Sequence, residues 1–229
     1  QKNKYKEKFI IGTGLNSLSD NINFMKICMT YNFKKFLIMP PAYYNYGDDE
    51  VEEFYTQIIY NLNECKIILY NFEKLSGYKF SAEAVTKLVK AFPENIIGCK
   101  DSSYNLFENL KIPNFLMFPG SEAKLLKGLK LGCSGCISAV TNVTHSIARK
   151  VFDDFENKNL QTKNDQLIAV RETFDQYNLI SALHSFHSIK DANYKNMLPP
   201  LTLLSEEKRK ELIEKLNKLK FTSEKNLAA

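Results

Sequence analysis

No stretch of this sequence comes near the roughly 18 consecutive apolar residues that a membrane-spanning helix needs. The opening residues, QKNKYKEKF, also lack the apolar centre of a secretory signal. Both absences point to a cytoplasmic protein with no membrane partner. Histidine is scarce, with only His145, His184 and His187 present. None of the three is spaced to give Cys133 and Cys136 the second ligand pair of a structural zinc site, so this CxxC is not read as a metal centre. The five cysteines, Cys28, Cys65, Cys99, Cys133 and Cys136, are odd in number and set in apolar surroundings. That pattern suits buried reduced thiols better than a disulfide framework. A basic arm is missing too. The net charge of +5 is spread along the chain, which argues against a nucleic-acid partner and leaves a mild bias toward anionic small substrates.

What is present is an ordinary globular balance, 44% hydrophobic and 25% charged over 229 residues. This length fits one α/β barrel or two smaller domains. Short runs rich in Ile, Leu, Val and Phe recur: FIIGTG from Phe9, FLIMPP from Phe36, IILYN from Ile67, IIGCKD from Ile96, FLMFPG from Phe115 and CISAV from Cys136. Helical patterns separate them. After the second run, DDEVEEFYTQIIYNLN opens with acids and places Val51, Phe54, Tyr55, Ile58 and Leu62 on one face. After the third, Ser81 is positioned to cap a helix with Val85, Leu88, Val89 and Phe92 inward. Apolar strands alternating with amphipathic helices predict βα units on a parallel sheet, about six strands in all. From Thr141 the chain reads as helical. It closes with a helix capped by Ser205 and striped by Leu212, Leu216 and Leu219, then a polar tail expected to fray.

Gly12-Thr-Gly14-Leu-Asn-Ser17 imitates the start of a dinucleotide fingerprint. Its third glycine is Ser17, however, and Lys34 and Lys35 stand where an acid would hold a ribose. The polar residues worth attention fall instead at the carboxyl ends of the runs, the face on which α/β enzymes build their sites. They are Tyr43, Tyr44 and Asn45; Tyr70 and Asn71; Lys100 and Asp101; Gly120, Ser121 and Glu122; and Ser138. A lysine at a strand end is usually only solvated. One that emerges from Ile96, Ile97, Gly98 and Cys99 has apolar neighbours that disfavour its charged form, the condition for imine formation with a carbonyl. A tyrosine such as Tyr70 can carry the protons that imine chemistry moves.

The motifs IIGTGLNS, PPAYYN, ILYN followed by LSG, IIGCKDSS, FPGSE, GCSGCISAVTNV and LPPLTLLSEE, in this order from Phe9 to Lys218, resemble one family. It is the family of dihydrodipicolinate synthase and N-acetylneuraminate lyase, pyruvate-handling class I aldolases on a (β/α)8 barrel. The resemblance implies an α/β TIM barrel with a C-terminal helical extension. Residues 1–150 would hold strands three to eight with their helices, and residues 151–229 the helical region and tail. The family carries two earlier βα units, the second ending in a Gly-Thr-Thr-Gly-Glu-like motif, and this sequence opens just before the equivalent of strand three.

The same resemblance implies Lys100 as the Schiff-base lysine, Tyr70 as the proton relay and Tyr44 as the tyrosine that reaches a neighbouring subunit's site. Gly120 and Ile137 fall where backbone lines the pyruvate pocket, and Glu122 of FPGSE is a further substrate-side candidate. The synthase branch carries a proline where Glu73 stands. It also carries an arginine, gripping the second substrate's carboxylate, where Leu75 stands. Because leucine cannot imitate a bidentate guanidinium, the expected activity is a lyase that makes or splits a 2-oxo acid, with pyruvate and an aldehyde as partners. No cofactor or metal is expected, and the assembly should be a homo-oligomer, a tetramer by resemblance. The alternatives are the lysine-biosynthetic synthase, acting on pyruvate and aspartate semialdehyde, and a non-catalytic carbonyl-binding paralogue, which would be expected to have lost the lysine or the tyrosine.

Overall fold

The structure, a computed structural model, describes residues 5–221. They form two compact units, one running to Gly120 and including Leu131–Ser134, the other made of Ser121–Lys130 and the chain from Gly135 onward. In the first unit the elements alternate: β1 (Ile11–Gly12), α1 (Leu18–Thr30), β2 (Lys35–Ile38), α2 (Asp48–Asn61), β3 (Lys66–Asn71), α3 (Glu73–Ser76), α4 (Ala82–Ala91), β4 (Ile96–Asp101) and β5 (Leu116–Pro119). The five strands are all parallel and lie in sequence order β1-β2-β3-β4-β5.

Local chemistry explains the helix starts. Ser17 Oγ accepts from Asp20 N at 3.3 Å to cap α1, and Ser81 Oγ accepts from Ala84 N at 3.0 Å to cap α4. At α2, Glu50 reaches back to accept from Gly47 N at 2.8 Å, while Asp48, Asp49 and Glu50 oppose the positive end of the helix dipole. The predicted inward face of α2 is buried, with Ile59 added to it.

Strand side chains alternate between faces. Phe36 and Ile38, Ile67 and Leu69, Cys99, and Met117 join residues of α1, α2 and α4 in one core. The intervening positions, among them Leu37, Ile68, Tyr70, Gly98, Lys100 and Phe118, therefore point to the opposite face. Gly98 pairs with Leu116 of β5 at close quarters: a Cβ there would stand 2.4 Å from Leu116 O and 2.9 Å from Leu116 Cβ.

The second unit consists of α5 (Leu125–Lys130), α6 (Thr141–Glu156), α7 (Asn164–Asp175), α8 (Leu179–His187) and α9 (Glu206–Lys218) around a separate core that includes Val143, Ile147, Val170, Phe174, Leu212 and Leu216. Ser205 caps α9, accepting from Lys208 N at 3.3 Å. Leu212 and Leu216 of the predicted stripe are buried, and Leu219 packs at the margin.

The expected sixth strand at Cys136–Val140 is not formed, so among the described residues five strands stand where about six were predicted. A strand exists only by its ladder of backbone bonds. Here the next amides, Asn142 N and Val143 N, bond back to Ala139 O and Val140 O, committing the segment to the turn that starts α6. Residues 150 and 151 are successive positions of α6, and the helical unit begins well before them. The polar tail from residue 222 lies outside the described residues.

Candidate active site

The register of the β3–β4 ladder sets Tyr70 directly beside Lys100 and Asn71 beside Asp101, and β5 continues the row with Phe118 beside Lys100. Alternation then divides these strand-end residues between two jobs. Asn71 and Asp101 turn to the helix side and are fully buried. The Asp101 carboxylate accepts from Asn71 Nδ2 at 2.9 Å, Tyr104 N at 2.9 Å, Leu106 N at 2.8 Å and Phe107 N at 2.9 Å. Asn71 Oδ1 accepts from Phe80 N at 3.1 Å, and Asn105 joins the net through Asn71 Nδ2 and Phe80 O. These bonds fix the loops after β3 and β4, leaving each buried polar group satisfied.

Tyr70 and Lys100 turn the other way. The Lys100 Nζ lies over the Tyr70 ring, 3.9 Å from its centroid, where the negative face of the ring attracts an ammonium. Phe72 packs beside the same ring at 5.9 Å. Burial raises the Tyr70 phenol above its ordinary value of 10, a side-chain hydrogen bond with Ser102 works in the opposite sense, and nearby Tyr104 adds a smaller upward push. Tyr70 is therefore a proton-bearing phenol at neutral pH, half-buried beside an amine. Gly120 enters this neighbourhood through its amide, which donates to Asp101 O at 2.9 Å. Its missing side chain matters as well, since a Cβ at Gly120 would stand 2.0 Å from Ser102 Oγ.

The other sequence candidates have surroundings of their own. Tyr44 is on the loop before α2, 66% exposed, its ring edge-on to Tyr43 at 5.0 Å and to Tyr46 at 6.5 Å. Tyr43, 90% exposed, has a φ of 88°, a conformation that costs a non-glycine residue about 1–3 kcal/mol and holds the two rings outward. Leu75 sits in α3, 55% exposed. Glu122 and Ile137 belong to the second unit. Glu122 is fully buried there, its carboxylate accepting from Ser138 Oγ at 2.5 Å, Thr144 Oγ1 at 3.0 Å and Arg171 Nη1 at 3.1 Å. Arg171 also grips Asp175. Glu122 thus ties the start of that unit to α6 and α7. Ile137 is half-buried in the segment before α6.

Sequence reasoning missed Ser102 and the buried roles of Asn71 and Asp101. Ser102 follows the end of β4, where the chain bends. All five cysteines are free thiols. His145, His184 and His187 line one cavity of about 460 Å³ in the second unit, with Tyr194 stacked on His187 at 4.6 Å. Among the described residues no group of three or more His, Cys, Asp or Glu side chains is arranged to hold a metal ion, and no helix is long and apolar enough to cross a membrane.

Comparison with known proteins adds three findings. Residues 3–219 match the model of the dihydrodipicolinate synthetase family. Among curated proteins, a 2-dehydro-3-deoxy-D-gluconate/2-dehydro-3-deoxy-phosphogluconate aldolase of Picrophilus torridus is 24% identical over 86% of this chain and 75% of its own length. A 4-hydroxy-tetrahydrodipicolinate synthase of Brachyspira hyodysenteriae is 25% identical over 95% of this chain and 76% of its own. Across such relatives the chain spans 53% to 76% of their length. Among solved structures, a prophage protein of E. coli K12 from the dihydrodipicolinic acid synthase family, determined with pyruvate, superposes with a TM-score of 0.82 at 20% identity, covering 93% of this chain and 75% of that one. The fold is the α/β barrel of those proteins.

Proposed function

The chain belongs to the dihydrodipicolinate synthetase family, and from that premise we propose that it is a carbon-carbon lyase, a class I aldolase working through an imine on Lys100. The observation that carries this reading is the pairing of Tyr70 and Lys100 on one face at the carboxyl ends of adjacent parallel strands. In this mechanism the neutral Lys100 amine adds to the C2 carbonyl of a 2-oxo acid. The carbinolamine loses water to give an iminium, which accepts the electron pair of the C3–C4 bond as that bond breaks. The departing C4 hydroxyl gives up its proton and leaves as the aldehyde carbonyl. The resulting enamine is protonated at C3 and hydrolysed to pyruvate, regenerating the amine. Each step moves one proton, and Tyr70 is the group beside Lys100 suited to carry it. No external cofactor enters the balance.

Leu75 supports substrates whose aldehyde portion is hydroxylated rather than carboxylated, because the position offers no cation. The aldolase among the relatives agrees with that preference. The synthase reading is the second one to weigh, since a synthase matches over more of this chain. A direct comparison separates them: pyruvate release from 2-oxo-3-deoxy sugar acids and sialic acid against condensation of pyruvate with aspartate semialdehyde, each as kcat/KM. The lyase reading expects the first to be larger. An order-of-magnitude advantage for the semialdehyde would make the synthase reading the correct one.

The exposed Tyr43–Tyr44 pair supports a homo-oligomer in which these rings meet another copy. Light scattering on the native protein and on Tyr44→Ala tests it, with loss of the larger species expected in the variant.

A further inference from the structure

We propose that the cleft lined by α6, α8 and the turn around Tyr194 is a pH-gated binding site for a small organic anion, an oxyanion head carried on an apolar body. The cleft lies wholly within the second unit, and the proposal does not depend on the lyase reading.

The chain has three histidines in 229 residues, and all three line this one cleft of about 460 Å³. Separate helices supply them. His145 comes from the start of α6, and His184 and His187 from the last turn of α8, where a spacing of three sets two side chains on one side of a helix. Lys190 and Asp191, just beyond α8, and Tyr194, from the 3-10 turn Ala192–Lys195, also line the cleft.

That turn is held against α8. His184 Nδ1 donates to Tyr194 O at 3.0 Å. The Tyr194 ring stacks on His187 at 4.6 Å and meets the His184 ring edge-on at 5.7 Å. Asp191 caps the turn, its Oδ1 accepting from Asn193 N at 2.9 Å. Because a carbonyl can only accept, the neutral His184 ring keeps its hydrogen on Nδ1, and Nε2 becomes a donor only when the ring is protonated.

Charge selects the ligand. The formal charges of Lys190 and Asp191 offset one another, so the three imidazoles set the net charge of the lining. Arg149, one turn beyond His145 on α6, is committed elsewhere, donating to Asp153 at 2.6 Å with its guanidinium over Phe152. Histidine ordinarily takes up its second ring proton near a pH of about 6.5. Burial, and after it the nearby His184 and His145, make this harder for His187. An anion among the rings reverses that balance, because it offsets their mutual repulsion and each ring protonated becomes a further charged donor. Val143, Ile180, Leu183 and Phe186 supply apolar lining for the body of such a ligand. A metal ion is not the expected occupant, since among the described residues no group of three or more His, Cys, Asp or Glu side chains is arranged to hold one.

The test follows the Cε1 resonances of protein labelled with 13C-histidine, in which every histidine signal reports on this cleft. Each signal is assigned by its loss in His145→Gln, His184→Gln or His187→Gln. The first probe is benzenesulfonate, whose charge is constant between about pH 5 and 8, so any pH dependence of binding belongs to the protein. Binding should raise the titration midpoints of the histidine signals. Its affinity should be at least about tenfold tighter at about pH 5.5 than at about pH 8, the change expected when one imidazole is shifted by about one pH unit. Lys190→Ala should weaken binding several-fold. Asp191→Asn, which keeps a capping oxygen and removes the negative charge, should strengthen it, and Lys26→Ala, on α1 of the other unit, should leave it unchanged. Methanesulfonate, with the same head and no ring, should bind at least about tenfold more weakly. Benzoate and phenyl phosphate then compare carboxylate and phosphate heads, and the tighter of the two names the ligand class. Circular dichroism checks each variant for the wild-type fold. Histidine signals unmoved by all three aromatic anions would overturn the proposal, as would an affinity that does not improve at low pH, weaker binding by folded Asp191→Asn, or methanesulfonate binding as tightly as benzenesulfonate.

Discussion

Tyr70 and Lys100 occupy opposite positions in the β3–β4 ladder, and the lysine Nζ lies 3.9 Å from the centre of the tyrosine ring. Two strands only one βα unit apart thus bring a phenol and an amine onto the same face without help from any loop. A pair on strands is held more rigidly than one on loops, which is what proton transfer over hydrogen-bond distances requires.

Tyr70→Phe keeps the ring that Lys100 rests on and removes only the proton carrier. Turnover should fall by about 100-fold or more, the usual scale for general acid-base help, while the melting temperature changes little. A variant with wild-type turnover would return Tyr70 to a packing role.

Asp101 makes a sharper prediction about stability. Its two oxygens accept from three backbone amides and the Asn71 side chain, so Asp101→Ala should cost at least about 3 kcal/mol through stranded donors. The isosteric Asp101→Asn should be nearly as damaging. Whichever way the amide is turned, its NH2 confronts two N–H groups. Denaturant unfolding of both variants measures this, and a mild Asp101→Asn would mean that the net is looser than described.

Gly98→Ala tests the close approach of β4 and β5. The added methyl would meet the Leu116 carbonyl at 2.4 Å, so a loss of about 1–3 kcal/mol is expected from forced backbone movement. Thermal unfolding gives the answer.

Alkaline pH should destabilise the fold. Burial pushes the Cys65 and Cys136 thiols from an ordinary value near 9 up to about 12, and the fully buried Tyr55 phenol is raised as well. Above pH about 9 the unfolded chain releases these protons while the folded chain keeps them. The unfolded state then binds fewer protons, and stability declines as pH climbs toward 12. Melting temperatures recorded across this range should fall, with a shallower slope in Cys65→Ala.

Much of this arrangement was legible in the sequence. Short apolar runs mark the strands and period-3.6 patterns the faces of α2 and α4, because burial leaves its mark on residue order. The serine caps at 81 and 205 follow a local rule that sequence shows, whereas Ser17, read only against a dinucleotide fingerprint, caps α1; Lys100 and Tyr70 were visible as polar groups interrupting apolar strands. The sixth run, CISAV, misled because β-branched and small apolar residues mark burial as readily as they mark a strand, and only a ladder distinguishes the two. The partners of Glu122 were not legible either, because the Arg171, Ser138 and Thr144 that bond to its carboxylate lie 16 to 49 residues away along the chain.

The central claim is that Lys100 forms an imine with a 2-oxo acid, and the most direct measurement is reductive trapping. The native protein is incubated with pyruvate, treated with borohydride, digested and mapped by mass spectrometry. The account predicts a reduced pyruvate adduct on the peptide bearing Lys100, absent without pyruvate and absent in Lys100→Arg. An adduct on a different lysine, or a protein that binds pyruvate and gains no covalent mass, would contradict it.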